Sequence, residues 1–208
     1  MSTNDVSGAI TPNVIITGAD AASGAQAIAP EARGQSAPTH TQYVPGKAVI
    51  NHDLQLQVEV FLTRQAALLD AKDWQAFIDC FTVDGVYWMP VELAQSSWTH
   101  EPSIFAEDRL MMEIRMRRLH HPNAWSQAPM WGTNHMVGNV IIESQSENQV
   151  QVYSRFQMME LRRDNVRHFG GTYRHTLERV DDGFIIALQR VDMMNGQATY
   201  DYVLQAWV

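Results

Sequence analysis

The sequence predicts an α+β fold, in which a strongly bent antiparallel or mixed sheet wraps around helices that come first in the chain. Three observations carry this. Apolar residues recur at helical spacing from Leu54 to Phe81. From Thr133 onward the period drops to two and holds through several long segments. Asp181-Asp182-Gly183 then joins two of those segments as a tight hairpin signal. Helices grouped ahead of a long meander have one sheet face to cover, and a bend in the meander would curl it into a cone with a pocket at its mouth.

Residues 1 to about 47 stand apart. They hold five charged residues, four of the eight prolines and much Ala, Ser, Thr and Gly, with no lasting period. Such a segment buries too little apolar surface to offset its ordering entropy. It reads as a flexible arm, or one that wraps a neighbouring subunit with Tyr43-Val44-Pro45 as its anchor. Residues 48–208 read as a single α+β domain.

Within that domain, Leu54, Val58, Phe61, Leu62, Leu68 and Leu69 form the stripe of a half-buried helix. Asp70-Ala71-Lys72-Asp73 breaks it, and Asp73 caps a short helix presenting Trp74, Phe77, Ile78 and Phe81. Asp84-Gly85 signals a turn before the β-prone run Val86–Met89, and Pro90 ends that strand or places it at an edge. Glu92 to Pro102 is a loop. A third helix is expected from Ser103 or Glu107, ended by Pro122. Its polar side carries Arg115, Arg117 and Arg118, which could grip an anion but more often mark a solvated face or ion pairs between subunits. Strands follow near 133–142, 150–158, 166–180 and 184–191. Gly170-Gly171 inside the third of these predicts a bulge or sharp bend. The tail to Val208 has no clear period.

A formal charge of −8 argues against nucleic acid or an anionic membrane as partner. The single cysteine, Cys80, cannot form an intrachain disulfide or hold a cysteine-based cluster, and suits a reducing compartment. No apolar run approaches the roughly 18 residues of a membrane helix, and no secretory signal stands out. A soluble, cytoplasmic protein is expected.

Candidate chemistry is sparse. Histidines are plentiful, but none sits at metal-binding spacing on a helix, and His168 and His175, an odd number apart in one strand, point to opposite faces. No nucleophile elbow, phosphate loop or dinucleotide fingerprint is present. One acid–base set remains: Asp84, Tyr87 and His135 at the mouth of a cone, as in a stand-alone isomerase or dehydratase. Against it, Asp84-Gly85 is also an ordinary turn, and a buried tyrosine commonly needs just one partner.

Several pieces then fall together in order: Ala67-Leu68-Leu69-Asp70 and Trp74, Asp84, Tyr87-Trp88-Met89-Pro90, Arg115-x-Arg117-Arg118-Leu119, Ala124-Trp125, His135-x-Val137-x-Asn139-Val140 and Asp182-Gly183-Phe184-x-Ile186. The chain resembles the small (β) subunit of aromatic-ring-hydroxylating, Rieske-type dioxygenases from about residue 54 to 191. The resemblance implies the cone-like fold shared with nuclear transport factor 2 and ketosteroid isomerase. It also implies a largely structural β subunit in an α3β3 oxygenase that hydroxylates an aromatic ring, partnered by a large α subunit and other β subunits. The Rieske [2Fe–2S] cluster and mononuclear iron would lie in the α subunit, with NAD(P)H serving through a separate reductase. No catalytic, cofactor or metal residue is then expected in this chain.

Two departures stand out, one of them Gln127 where the family leads one to expect an acidic residue soon after Trp125. Where the family often carries Pro-x-Ser-Arg-Thr-Arg-His, this chain reads Pro129-Met130-Trp131-Gly132-Thr133-Asn134-His135, without either arginine. His168-Phe169-Gly170-Gly171-Thr172 leans towards the branch acting on benzoate-like acids. Trp98, Trp125, Trp131, His135 and Trp207 are the candidate subunit-interface residues, because aromatic side chains dominate binding hot spots; the competing reading is that they cap the local core.

Overall fold

The computed structural model describes residues 43–125, 130–181, 183–194, 196, 204, 205, 207 and 208. The arm expected over residues 1 to 47 therefore lies almost wholly outside the described residues. The elements are α1 (His52–Ala71), α2 (Trp74–Asp79), β1 (Phe81–Pro90), β2 (Ser103–Asp108), α3 (Arg109–Leu119), β3 (Gly132–Gln145), β4 (Gln149–Arg162), β5 (Asn165–Val180) and β6 (Gly183–Met193).

Local chemistry sets the helix ends. Asn51 caps α1, its Oδ1 accepting the Leu54 N–H at 3.1 Å. Lys72 stops α1 in the left-handed region (φ 60°), where its N–H turns back onto the last carbonyls. Asp73 caps α2 as the sequence predicts, through the Ala76 N–H at 3.3 Å. The third helix starts later than expected. Ser103–Asp108 is strand β2, paired to β1 with Trp88 opposite Ala106, and Asp108 caps α3 through the Met111 N–H at 2.8 Å. Ser103 and Asp108 are both cap-type residues, so local preference could not choose between them; pairing with β1 did.

One six-stranded sheet has the order β2-β1-β6-β5-β4-β3. All pairings are antiparallel except β1 with β6, so the sheet is mixed. Asp84-Gly85 is not a turn. It lies inside β1, where the register with β6 slips between Phe81 and Val86, and a Cβ on Gly85 would stand 2.7 Å from the Ile186 carbonyl oxygen. Pro90 is the last residue of β1, which removes no needed ladder donor.

Gly170-Gly171 also differs from expectation. The β4–β5 register runs unbroken through both glycines. Gly171 is required by close approach: a Cβ there would meet the Asp192 carbonyl oxygen at 2.2 Å. The irregularities fall in β3 after Gly138, where Asn139 takes φ 52°, and in the β5–β6 pairing after Thr176.

The core lies between the helices and the inner sheet face. Leu54, Val58, Leu62 and Leu69 of α1 meet Val150, Val152, Phe156 and Met158 of β4 and Leu177 of β5, all in one buried cluster. Phe156 stacks on Tyr173 with ring centroids 4.3 Å apart. Each such side chain contributes about 1.5–3 kcal/mol when fully buried. The helix is tied to β3 by backbone and side chain alike: Val49 N–H donates to Ile142 at 2.8 Å, and Gln55 Nε2 to the Val140 carbonyl at 2.9 Å.

Candidate functional site

Among the described residues, the chain's own last side chains occupy part of the interior beside Tyr87. Tyr87 is fully buried, its hydroxyl donating to the Val208 backbone oxygen and accepting the Val208 N–H, both at 3.1 Å. Burial pushes the Tyr87 hydroxyl far above the ordinary tyrosine range, so it stays protonated. Trp207 packs on Trp74 and Phe77 at 5.5 and 5.3 Å, and its Nε1 donates to Glu107 Oε2 at 2.9 Å. The other Glu107 oxygen takes two bonds from Arg115, whose guanidinium lies 4.0 Å over Phe105. Trp207 and Val208, from a stretch without sequence period, thus pack into the interior against Tyr87, Trp74 and Phe77.

Two motif pieces meet beside Trp207. Asp70, at the end of α1, accepts the His135 N–H with Oδ2 at 2.9 Å and holds His135 Nδ1 with Oδ1 at 2.6 Å. A carboxylate partner there assigns the proton to Nδ1. Burial lowers the His135 pKa, opposed by the bond and charge of Asp70, so the ring is neutral near pH 7. Its Nε2 makes no hydrogen bond of ordinary geometry, and the nearby Trp207 backbone favours the charged form only weakly. This is a clamp between helix and strand.

Deeper in, Gln65 Nε2 donates to Gln189 Oε1 at 2.6 Å, and Gln189 lies opposite His175 in the register. Burial drives His175 down to about 3, opposed only by Gln189. Both ring nitrogens lack a partner of ordinary geometry, as does Ser154 Oγ. His168, by contrast, is exposed, so the two histidines do face opposite ways.

The acid–base set does not assemble. Asp84 is exposed and bonded by Thr82 Oγ1 at 3.0 Å, whereas Tyr87 and His135 are buried with other partners. Among the described residues no bond links any two of the three, because the register slip in β1 turns Asp84 out to solvent. Nor do three His, Cys, Asp or Glu side chains converge as for a metal ion among the described residues. The arginine run also disperses: Arg115 serves Glu107, and Arg117 pairs with Glu113 at 3.4 Å.

The outer sheet face divides in two. Over β5, β6 and β1 the chain roofs itself. Arg190 donates to Asp192 Oδ1 at 2.8 Å and to the carbonyls of Leu93 and Gln95, with its guanidinium 4.5 Å from the Trp88 ring. Arg174 pairs with Asp192 Oδ2 at 3.5 Å and lies under the Tyr43 ring at 4.5 Å. Tyr43 in turn donates to Glu143 at 2.6 Å, and Gly46 N–H reaches the same oxygen at 3.2 Å. Tyr43 is thus anchored on its own chain, and the packed domain begins before the expected residue 48. Tyr43 also reaches one end of β4, its ring 5.9 Å from that of buried Tyr153, but over Met136, Met159, Leu161 and Val166 nothing of this kind is found among the described residues. Gly132 stands opposite Leu161 and Leu161 opposite Val166; Asn134 opposite Met159 and Met159 opposite His168; Met136 opposite Gln157.

Of the five interface candidates, Trp131, His135 and Trp207 are buried within the chain. Trp125 is 81% exposed and Trp98 38%. The pattern that sequence reasoning passed over is the adjacent pair Met158-Met159. Two apolar neighbours in a strand must face opposite sides.

Comparison with known proteins follows from this geometry. The family described as "Ring hydroxylating beta subunit" matches residues 64–198. The 2-halobenzoate 1,2-dioxygenase small subunit of Burkholderia cepacia is 29% identical over 145 residues, covering 67% of this chain and 88% of that protein. Toluate 1,2-dioxygenase subunit beta of Pseudomonas putida is 27% identical, covering 71% and 91%. The crystal structure of the benzoate 1,2-dioxygenase beta subunit of Burkholderia mallei superposes with a TM-score of 0.58 at 26% identity, covering 76% of this chain and all of that one.

Proposed function

The chain belongs to the ring hydroxylating beta subunit family, and from that premise we propose that it is the scaffold of an α3β3 oxygenase acting on a benzoate-like aromatic acid. The observation that carries the scaffold role is the commitment of the Tyr87 hydroxyl to Val208. Tyr87, the best-placed acid–base group, is held at both ends of its hydroxyl chemistry by Val208, and Trp207 seals the same space. A side chain so committed has no proton to exchange with a substrate. In this reading the Rieske cluster and the mononuclear iron belong to the large subunit, NAD(P)H acts through a separate reductase, and the assembly is cytoplasmic. The aromatic-acid substrate draws support from relatives named for 2-halobenzoate, toluate and benzoate.

Trp98 and Trp125 are the interface candidates that meet a partner directly. His135 contributes from beneath, by fixing α1 to β3 through Asp70. Replacing His135 by Ala should cost about 1–3 kcal/mol of stability, since one carboxylate oxygen of Asp70 loses its donor, and should change no intrinsic turnover. Urea unfolding of the purified chain measures the first. Co-expression with a large oxygenase subunit, followed by mass determination and iron analysis, tests the whole reading. Three copies of each chain, with all iron in the large subunit, is the expected result. A small chain that binds stoichiometric iron, or turns over an aromatic substrate unaided, would overturn it.

A further inference from the structure

We propose that the large oxygenase subunit docks on the outer face of β3, β4 and the start of β5 around Met159 and Leu161, uncovered among the described residues, and presents to it an apolar centre ringed by the partner's own acidic side chains. The assignment rests on the subunit reading above and adds its location and chemistry. Met136, Met159, Leu161 and Val166 share this face and are 68%, 45%, 50% and 55% exposed. Isolated apolar residues on a surface are ordinary, but four side by side on a sheet are a patch. Gly132, Gly138 and Gly170 take outward positions of the same face with no side chain, and the polar Asn134, Gln157 and His168 lie among the four apolar residues.

Charge selects the occupant. The chain carries −8 overall, yet residues 130–142 hold no Asp, Glu, Lys or Arg. Residues 155–168 hold four arginines against two acids, and Glu160 is taken up by Arg167 at 3.2 Å. Exposed Arg155 and Arg163 therefore leave a positive rim around an apolar centre. A second copy offering the same face would set one positive rim against another. Size argues the same way. Three strands ~4.8 Å apart and seven residues at ~3.3 Å give a footprint of roughly 350 Å², less than half of the ~800 Å² per partner of a stable interface. The patch is the dry centre of a wider contact with a different protein.

The test uses the full chain co-expressed with the large subunit. In a Met159→Glu/Leu161→Glu double variant, the small chain alone should melt as the wild type does, while its Kd for the large subunit weakens ~100-fold or more. A Leu56→Glu/Val60→Glu variant, on the exposed side of α1, should assemble normally. If the double variant does not fold, Met136→Glu on the edge strand β3 gives the same readout. Unchanged assembly of the face variant overturns the assignment, as does equal loss in the α1 control. So does a wild-type small chain that self-associates in light scattering and becomes monomeric in the face variant, since the occupant is then a second copy. If the wild-type chains do not associate at all, the subunit reading itself has failed and this assignment falls with it.

Discussion

One sheet carries two outer surfaces that could hardly be less alike. Over β5, β6 and β1 it buries charge: Arg190 and Asp192 are 5% and 4% exposed and meet Arg174, Tyr43, Trp88 and two loop carbonyls. Around Met136, Met159 and Leu161 it holds no buried ion pair among the described residues and exposes methionine and leucine. The difference teaches where each surface gets its cover. Buried ions demand fixed partners in good geometry, so the chain must bring its own loops and Tyr43 to them. An apolar surface demands only shape and exclusion of water, which another protein can supply.

Removing a partner from the covered half should therefore be the most damaging change. Arg190→Ala leaves the Asp192 carboxylate buried beside a single, longer contact to Arg174 and strips two loop carbonyls of their donor. A loss of about 3–5 kcal/mol is expected in urea unfolding. A loss below ~1 kcal/mol would mean that the network is solvated, and the contrast between the halves would collapse.

Glycines sharpen the same contrast. Gly171→Ala drives a Cβ against the Asp192 carbonyl, a backbone atom that cannot swing aside, and the Phe156 ring edge at 2.9 Å. About 2–3 kcal/mol should be lost. Gly138, on the bare half, has nothing within 4 Å of the same position. Gly138→Ala should stay within ~0.5 kcal/mol. Equal costs would show that strand backbone, rather than what covers it, sets the requirement for glycine.

Much of this was legible in the sequence, and what was not has a common cause. The α1 stripe, the Asp73 cap, the Pro90 stop and the opposed faces of His168 and His175 follow from local periodicity and capping. The register slip that turns Asp84 outward, the strand identity of Ser103–Asp108 and the close approach at Gly171 are all set by pairing between residues far apart in the chain. Trp207 could be read as a cap on the local core, but that Val208 meets Tyr87 left no trace, since a segment without period carries no sign of where it lands. For the site this mattered most: Tyr87 looked available until the tail was seen to occupy it.

The inner face offers a pH test of the filled core. His175 titrates at about 3 in the folded chain and near 6.5 when unfolded. As pH falls below 6.5 the unfolded chain takes up a proton that the folded chain refuses, so stability falls. From pH 6.5 to 5 the loss should be about 1.6 kcal/mol, since the slope rises from half of 1.36 kcal/mol per unit at pH 6.5 towards the full value. His175→Gln should flatten that limb in urea titrations at several pH values, whatever the variant costs at pH 7. A wild-type limb already flat between pH 6.5 and 5 would mean that water reaches the ring.

The smallest expected effect is the most direct trial of the comparison, because Met158 and Met159 are neighbours on opposite faces of one strand. Met158 is 1% exposed in the core, and truncating it to Ala falls in the range of about 2–5 kcal/mol. Met159 is 45% exposed, and Met159→Ala should change the stability of the isolated chain by less than ~0.5 kcal/mol. The argument turns on which state is measured. In the free chain the Met159 side chain gives up little water on folding, so little is lost when it is shortened. Within the assembled oxygenase the same methyl thioether would be fully covered, and its removal would register as weaker association. A loss near 2 kcal/mol in the isolated chain would show that some other segment of the same chain already covers this face, and the two halves of the sheet would then differ only in which part of the protein roofs them.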